Sequence, residues 1–287
     1  MKKFCLDLTV KSVEHINEKY VLLKLTDENP LPEMIPGQFV EIQVDGSKTT
    51  FLRRPISIND VDREDNTLHL LIACIGDGTR QLGTLAVGAK VNIVLPLGNG
   101  FTMPASPEKK HLLVGGGVGV APLLYLGRKI KEMGGEPVFL LGARSKKDLL
   151  MLDEYRKIGR VFITTEDGSE GEKGFVTNHS VLSSETFDMI STCGPKPMMM
   201  AVARYVQATM TGGTLQPTGP GRYIARPSAV GQNVTITVTS TNTGRAQQMG
   251  QFTFRVRRLP DPTPYIDMKD ESGAPLRYKG GAMVKPS

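Results

Sequence analysis

Apolar and polar residues alternate over most of the first hundred positions, the period of strands with one buried face. Six stretches follow it: Leu6–Val13, Tyr20–Leu25, Gln38–Val44, Arg54–Ile58, Leu68–Ile75 and Lys90–Leu95. Turn signals punctuate them at Pro36-Gly37, Asp45-Gly46, Asp77-Gly78 and Leu97-Gly98-Asn99-Gly100. Six short strands with no helical segment between them predict a closed antiparallel barrel. Beyond about residue 103 the pattern changes. Strand-like runs at His111–Val114, Pro137–Leu141, Val161–Thr165 and Asp188–Thr192 alternate with helical segments at Ala121–Met133 and Lys147–Ile158. Short connections of this kind imply right-handed crossovers and a parallel sheet.

A third pattern begins at Thr211, where Gly, Pro, Ser and Thr make up 32 of 77 residues. Gly221–Arg226, Asn233–Thr241 and Gln251–Leu259 read as strands, and Asn242-Thr243-Gly244 as a hairpin turn. The expected architecture is β followed by α/β: an antiparallel barrel over 1–102, a parallel-sheet nucleotide-binding domain over 103–209, and a β-rich tail, part of a sandwich, over 210–287.

Composition works by exclusion. A chain of 287 residues can bury two or three cores. Its net charge of +6 does not describe the first two domains, because residues 1–210 hold 25 Lys+Arg and 25 Asp+Glu. The excess, 10 against 4, is scattered over the tail with no basic block and no Trp, which argues against nucleic acid. Cys5, Cys74 and Cys193 show no C-x-x-C spacing, and His15, His69, His111 and His179 are dispersed, so no metal site is expected. No run approaches the roughly 18 apolar residues of a membrane span. The N-terminus alternates and contains Asp7, so it reads as a strand rather than a signal peptide, and the expected compartment is the cytoplasm.

Three motifs bear chemistry. In Arg54-Pro55-Ile56-Ser57 the arginine can clamp a pyrophosphate and Ser57 can donate to a flavin ring near N5. Pro55 restricts this strand to an edge or a bulge. Gly76-Asp77-Gly78-Thr79-Arg80 offers backbone N–H groups and a hydroxyl suited to phosphate. Gly115-Gly116-Gly117-Val118-Gly119-Val120-Ala121-Pro122 lies between a strand and its helix, where glycines let a pyrophosphate approach the helix N-terminus. Its form is G-x-G-x-x-P, and proline is tolerated in a first helical turn. Gly142-Ala143-Arg144-Ser145 follows the second strand with no acid for the adenosine ribose. Arg144 could take a 2′-phosphate or stack on adenine, leaving NAD and NADP both open. Cys193-Gly194-Pro195 ends a strand at the carboxyl edge of the sheet and could contact nicotinamide, and no neighbouring base activates Cys193 as a nucleophile.

With Pro36-Gly37-Gln38-Phe39, Leu97-Gly98-Asn99-Gly100-Phe101, Thr165-Glu166-Asp167-Gly168-Ser169 and Cys193-Gly194-Pro195-Lys196-Pro197-Met198-Met199, these motifs resemble the ferredoxin–NADP reductase superfamily over residues 1–208. More narrowly, they resemble the electron-transfer subunits of bacterial NAD-dependent dihydroorotate dehydrogenases. The resemblance implies FAD lined by Arg54, Pro55, Ile56, Ser57, Leu71, Ile72, Ala73, Gly78 and Thr79. It places NAD(H) against Gly115, Gly116, Gly117, Gly119, Pro122, Arg144, Cys193 and Gly194. It also implies a partner, an FMN-containing catalytic subunit that oxidises dihydroorotate. Electrons would pass through a [2Fe-2S] cluster to FAD and then, as hydride, to NAD. Such subunits end in a cysteine-rich segment supplying four cluster thiolates. Here no cysteine follows Cys193, and the last strand of a 3-2-1-4-5 sheet is also missing.

In the tail, Gly221-Arg222-Tyr223-Ile224, Met249-Gly250 and Phe254-Arg255-Val256-Arg257-Arg258-Leu259-Pro260-Asp261-Pro262 resemble the C-terminal domains of the periplasmic gliding-motility and type IX secretion shaft protein. A periplasmic module behind a cytoplasmic reductase, both cut mid-domain near Met210, points to two truncated genes joined together rather than to a natural fusion. A stand-alone flavin-dependent NAD(P)H reductase and a tail that serves as a secretion-machinery binding module are the alternative readings.

Overall fold

The computed structural model describes residues 2–47 and 49–209, and beyond them seven strands between residues 215 and 284. The chain divides into two compact units, Met1–Pro195 and Lys196–Ser287. The first unit opens with β1 (Phe4–Asn17), β2 (Tyr20–Thr26), β3 (Phe39–Ile42), β4 (Arg54–Ser57), β5 (Asp60–Asp62), β6 (Thr67–Ala73) and β7 (Lys90–Leu97). Their order is β4-β3-β7-β1-β2-β6-β5, antiparallel throughout.

The two ends of this order, β4 and β5, belong to one bent stretch. Its first half pairs with β3, Ser57 opposite Phe39. Ile58 N–H then donates to Gln38 O at 3.0 Å and Asn59 N–H to His69 O at 2.9 Å. The second half pairs with β6, Asp60 opposite His69. One strand thus serves both edges and closes the ring, so the six expected strands are the six staves of the barrel. Pro55, without an N–H, sits in β4, which pairs only with β3. Inward positions such as Leu8, Leu23, Leu25, Leu70, Ile72 and Ile93 are fully buried and fill the interior.

One turn of the barrel is not a turn. Asp77-Gly78 opens a short helix, α1 (Asp77–Leu82). Thr79 Oγ1 accepts the Gly76 N–H and donates to Gly76 O, both at 3.0 Å, which caps the first turn, and Leu82 anchors the helix in the barrel core.

The parallel sheet contains β8 (His111–Gly116), β9 (Pro137–Ala143), β10 (Arg160–Thr165), β11 (Glu172–Lys173) and β12 (Met189–Cys193), in the order β11-β10-β9-β8-β12. With β11 set aside, this is the expected 3-2-1-4 arrangement. Helices α2 (Ala121–Glu132), α3 (Leu152–Ile158) and α4 (Val181–Ser184) connect the strands. The helix expected over Lys147–Ile158 begins only at Leu152. Ser145 Oγ donates to Asp148 Oδ2 at 2.6 Å, which closes a single 3-10 turn over Lys146–Asp148. Leu149 is then extended, Leu150 is buried in the sheet core, and Met151 is left-handed at φ 53°.

Barrel and sheet meet along α2. Tyr125 is buried in the barrel core and donates its hydroxyl to Met34 O at 2.9 Å. Asn59, fully buried at the bend of the shared strand, donates Nδ2–H to Ala121 O at 2.9 Å and accepts Tyr125 N–H on its backbone carbonyl at 3.1 Å. Next to it, the Asp60 carboxylate is 1% exposed and ion-paired with Arg128. Burial pushes the Asp60 carboxyl up and Arg128 opposes that shift.

The second unit begins with α5 (Lys196–Thr209), in which Met199 and Val202 are buried and Met200 is exposed. Then come β13 (Leu215–Gly219), β14 (Arg222–Ala225), β15 (Asn233–Thr237), β16 (Gln251–Arg258), β17 (Pro264–Asp267), β18 (Arg277–Lys279) and β19 (Ala282–Val284). They form antiparallel sheets β13-β14, β15-β16-β17 and β18-β19. The three strands expected in the tail coincide with β14, β15 and β16. The turn expected at Asn242-Thr243-Gly244 lies outside the described residues.

Two histidines give the first unit a pH dependence. His69, bonded to Thr67, and His111, bonded to Ser191, are buried, and burial lowers each pKa from 6.5 to about 4. Unfolded, each would take a proton near 6.5 that the folded state refuses, so stability is complete above that value and declines as pH falls toward 4. Urea midpoints measured across this window fall with pH, and His111→Asn, which retains a polar group for Ser191, flattens the decline.

Candidate functional site

Adjacent arginines at the start of the shared strand have opposite fates. Arg53 is engaged inside the barrel wall: Nη1 donates to Asn92 O at 3.0 Å, and Nη2 donates to Gln43 Oε1 at 3.1 Å and to Asn92 Oδ1. Arg54 is half-buried and its guanidinium bonds to nothing among the described residues, which leaves its planar fork available to an anion. Its stem lies against Gly78, where an added Cβ would meet Arg54 Cδ at 3.1 Å and Thr50 Cγ2 at 2.8 Å. Glycine at 78 is therefore what lets α1 close on the arginine.

The other residues expected around a flavin are placed less uniformly. Ser57 is half-buried on β4, Pro55 is exposed, and Ile56 faces the barrel core. Leu71 and Ile72 have their side chains in the sheet core and the barrel core respectively, so a cofactor could meet this segment only through its backbone and Ala73. The Thr79 hydroxyl, expected to face a phosphate, is engaged at Gly76 instead. What α1 offers is its unpaired first-turn N–H groups. Asp77 in that turn is ion-paired with Arg80 at 2.7 Å and accepts from Thr49 at 3.1 Å, contacts that hold its carboxyl below the usual range.

On the sheet, three expected segments converge at the carboxyl edge. Gly115 lies opposite Cys193 on β12, and Gly116 opposite Gly142 on β9. Three glycines of the loop meet three different demands. A Cβ on Gly115 would strike Leu123 and Val120 at 2.9 Å, where α2 folds back over the strand end. A Cβ on Gly119 would come within 2.4 Å of Gly194 Cα, where the loop touches the Cys193-Gly194 peptide. Gly117 is left-handed at φ 55° with nothing within 4 Å of an added Cβ, which is open space at the mouth of the loop. Pro122 occupies the first turn of α2, as its missing N–H requires.

Arg144 is exposed past β9. Five residues after β9, Asp148 is bonded to Ser145 and lies close enough to influence Tyr20, whose pKa is raised first by burial and then by Asp148, with Arg144 opposing. Sequence spacing passed over Asp148 because the segment was expected to be helical. Cys193 is buried and forms no disulfide. Cys5 and Cys74 lie on the barrel, and among the described residues no three His, Cys, Asp or Glu side chains gather as a metal site. These residues do not fit a four-thiolate cluster. A cleft of about 640 Å³ between the barrel and α2–α3, bordered by Lys24, Asp60, His69 and Arg128, includes none of the expected site residues. No helix among the described residues is long and apolar enough to cross a membrane.

Two family models match the chain. Residues 113–204 match the family model of the oxidoreductase NAD-binding domain, and residues 198–257 match that of the GldM third domain. A dihydroorotate dehydrogenase B (NAD(+)) electron transfer subunit from Shouchella clausii is 40% identical over 198 residues, covering 68% of this chain and 76% of that protein. The subunit of the same description from Listeria monocytogenes is 38% identical over 206 residues, covering 71% and 80%. Among solved structures, an NADH-dependent reduced ferredoxin-NADP oxidoreductase superposes with TM-score 0.61 at 29% identity, covering 69% of this chain and 71% of the other. The FAD/NAD binding domain of a nitric oxide dioxygenase from Vibrio cholerae, with TM-score 0.59 at 17% identity over 70% and 91% of the two chains, shares the fold.

The glycine geometry separates two variants. Gly119→Ala forces the loop off Gly194 and destabilises the first unit by about 1–3 kcal/mol. Gly117→Ala meets open space and costs about 1–2 kcal/mol from its backbone conformation alone. Thermal melts compare their stabilities, and chemical shifts at Cys193 and Gly194 move markedly only in Gly119→Ala.

Proposed function

Because the chain belongs to the family of electron transfer subunits of dihydroorotate dehydrogenase B (NAD(+)), we propose that its first 208 residues act as an FAD-dependent NAD(H) oxidoreductase. The observation that supports this most is the convergence of Gly115–Gly119, Cys193-Gly194 and the Asn59 bend, which brings the strand of Ser57 and the glycine loop onto one helix start. In this reading residues 1–102 hold FAD, residues 103–209 hold NAD(H), and residues 210–287 form a tail of separate origin.

Arg54 clamps the FAD pyrophosphate, with the first-turn N–H groups around Gly78 and Thr79 completing the cradle. Pro55, Ile56, Leu71, Ile72 and Ala73 present backbone to the ring system, and the Ser57 hydroxyl donates to it on the side facing nicotinamide. Bound FAD would supply hydride exchange with nicotinamide and single-electron exchange with a partner. Gly115, Gly116, Gly117 and Gly119 admit the NAD pyrophosphate beside Pro122 at the start of α2. Asp148 accepts from the adenosine ribose, which favours NAD(H) over NADP(H), and Arg144 stacks on adenine. Cys193 and Gly194 seat the nicotinamide by shape, with no nucleophilic step.

The partner implied by the family is an FMN-containing catalytic subunit that oxidises dihydroorotate, in pyrimidine synthesis in the cytoplasm. No step here is routed through a [2Fe-2S] cluster. The dispersed cysteines favour a second reading, a stand-alone NAD(P)H reductase serving small acceptors, and the GldM-like match supports a third, a tail that binds secretion machinery. Fast turnover with small acceptors and no complex with a dihydroorotate-oxidising subunit would select the second.

Anaerobic absorbance of the full chain tests the main reading. The protein takes up FAD, and its flavin bands bleach when NADH is added. Arg54→Ala weakens FAD binding about tenfold or more, measured by fluorescence titration. A chain that takes up no FAD overturns the assignment.

A further inference from the structure

Asn59 has a role that burial alone does not explain. Its side-chain Nδ2–H donates to Ala121 O and its backbone carbonyl accepts from Tyr125 N–H. Those two groups stand four residues apart on α2, the pair that an α-helix bonds to each other. One residue of the barrel therefore bonds both partners of a single helical step. The Oδ1 atom of the same amide is buried without a partner. A buried acceptor left unpaired is unfavourable, and an apolar residue of the same size would avoid it, so the feature in use here is the donor.

The location gives that donor its significance. Ser57 precedes Asn59 by two residues on the shared strand, and Gly119 precedes Ala121 by two residues in the glycine loop. On its far side Gly119 lies against the Cys193-Gly194 peptide. Along the same face of α2, next to this contact, a cleft of about 640 Å³ is bordered by Asp60, Leu124 and Arg128, so the barrel and the helix are not packed together beyond it.

Resting on the functional reading above, we infer that Asn59 is a positioning residue for hydride transfer: its amide locks the start of α2 to the strand of Ser57 and so fixes the spacing between the flavin and nicotinamide sites. Asn59 touches neither cofactor. Its removal loosens the approach of the two rings while each binding site remains intact, and rates of such transfers fall steeply with misplacement of about 1 Å.

Two readouts test this on the full chain. In rapid-mixing experiments with FAD-loaded protein, Asn59→Ala and the near-isosteric Asn59→Leu, which lacks the donor, lower the limiting rate of flavin bleaching by NADH about tenfold to a hundredfold. FAD content and the NADH concentration for half-saturation stay within about twofold of wild type. Asn59→Thr, which keeps a donor of shorter reach, recovers part of the rate and serves if the other two fail to fold. In the cofactor-free chain, spin labels on Cys5 of the barrel and on Lys147→Cys of the sheet domain, in a Cys74→Ser background, report the distance between the two. That distribution is narrow with Asn59 and broadens in Asn59→Ala. An unchanged distance distribution overturns the inference, as does an unchanged limiting rate. A wild-type chain that binds FAD but is not bleached by NADH overturns the functional reading instead, and the distance measurement still decides the role of Asn59.

Discussion

The relation between barrel and parallel sheet depends on how the first turn of α2 is held. A helix start leaves its first N–H groups unpaired, while its carbonyls normally bond within the helix. Here those carbonyls and one following N–H also bond outside it: Val120 O accepts the Tyr155 hydroxyl at 2.8 Å, Ala121 O accepts the Asn59 amide, and the Tyr125 N–H reaches back to the barrel. Burial pushes the Tyr125 hydroxyl up to about 12 and Tyr155 well above its ordinary value, so both remain neutral donors at any physiological pH. The buried part of the joint is built from neutral hydrogen bonds, flanked by the Asp60–Arg128 ion pair and by Lys129 over the Tyr125 ring, and buried contacts of this kind are screened little by salt.

Around that joint the two candidate cofactor sites use different physics. The barrel side relies on a free guanidinium and a missing side chain, Arg54 against Gly78. The sheet side relies almost wholly on backbone, brought close by glycines that leave room for one another. Charge therefore selects on one side and shape on the other. This contrast explains why the neighbouring Arg53 cannot stand in for Arg54: its guanidinium is already engaged between β3 and β7, at the Glu41 and Asn92 carbonyls.

Much of this was legible in the sequence because period and turn chemistry agreed with the tertiary structure. The six barrel strands and the Gly115–Pro122 loop followed from alternation and glycine placement, whereas the order of the parallel sheet came with the family resemblance. Two of the misplaced elements share one cause, local hydrogen bonding that competes with the expected element. Thr79 turned an apparent Asp-Gly turn into α1, and Ser145 with Asp148 broke the start of α3. A two-residue strand such as β11 leaves no period to detect. Asn59 was invisible for another reason: nothing in a run of Ile58-Asn59-Asp60 reveals that both its amide and its carbonyl face a helix sixty residues later. Leu71 and Ile72 belong to the same class, since alternation shows that a strand has two faces but not that both are buried.

The strand from Arg54 to Asp62 has a consequence for how this protein can vary. Its first half takes its register from β3 and its second half from β6, and the residues between Ser57 and Asn59 belong to neither ladder alone. A single inserted or deleted residue there would leave both halves paired yet rotate one relative to the other by half a pleat, exchanging inward for outward faces. Length is therefore fixed by geometry in this short span, at the point where one strand begins to serve two neighbours.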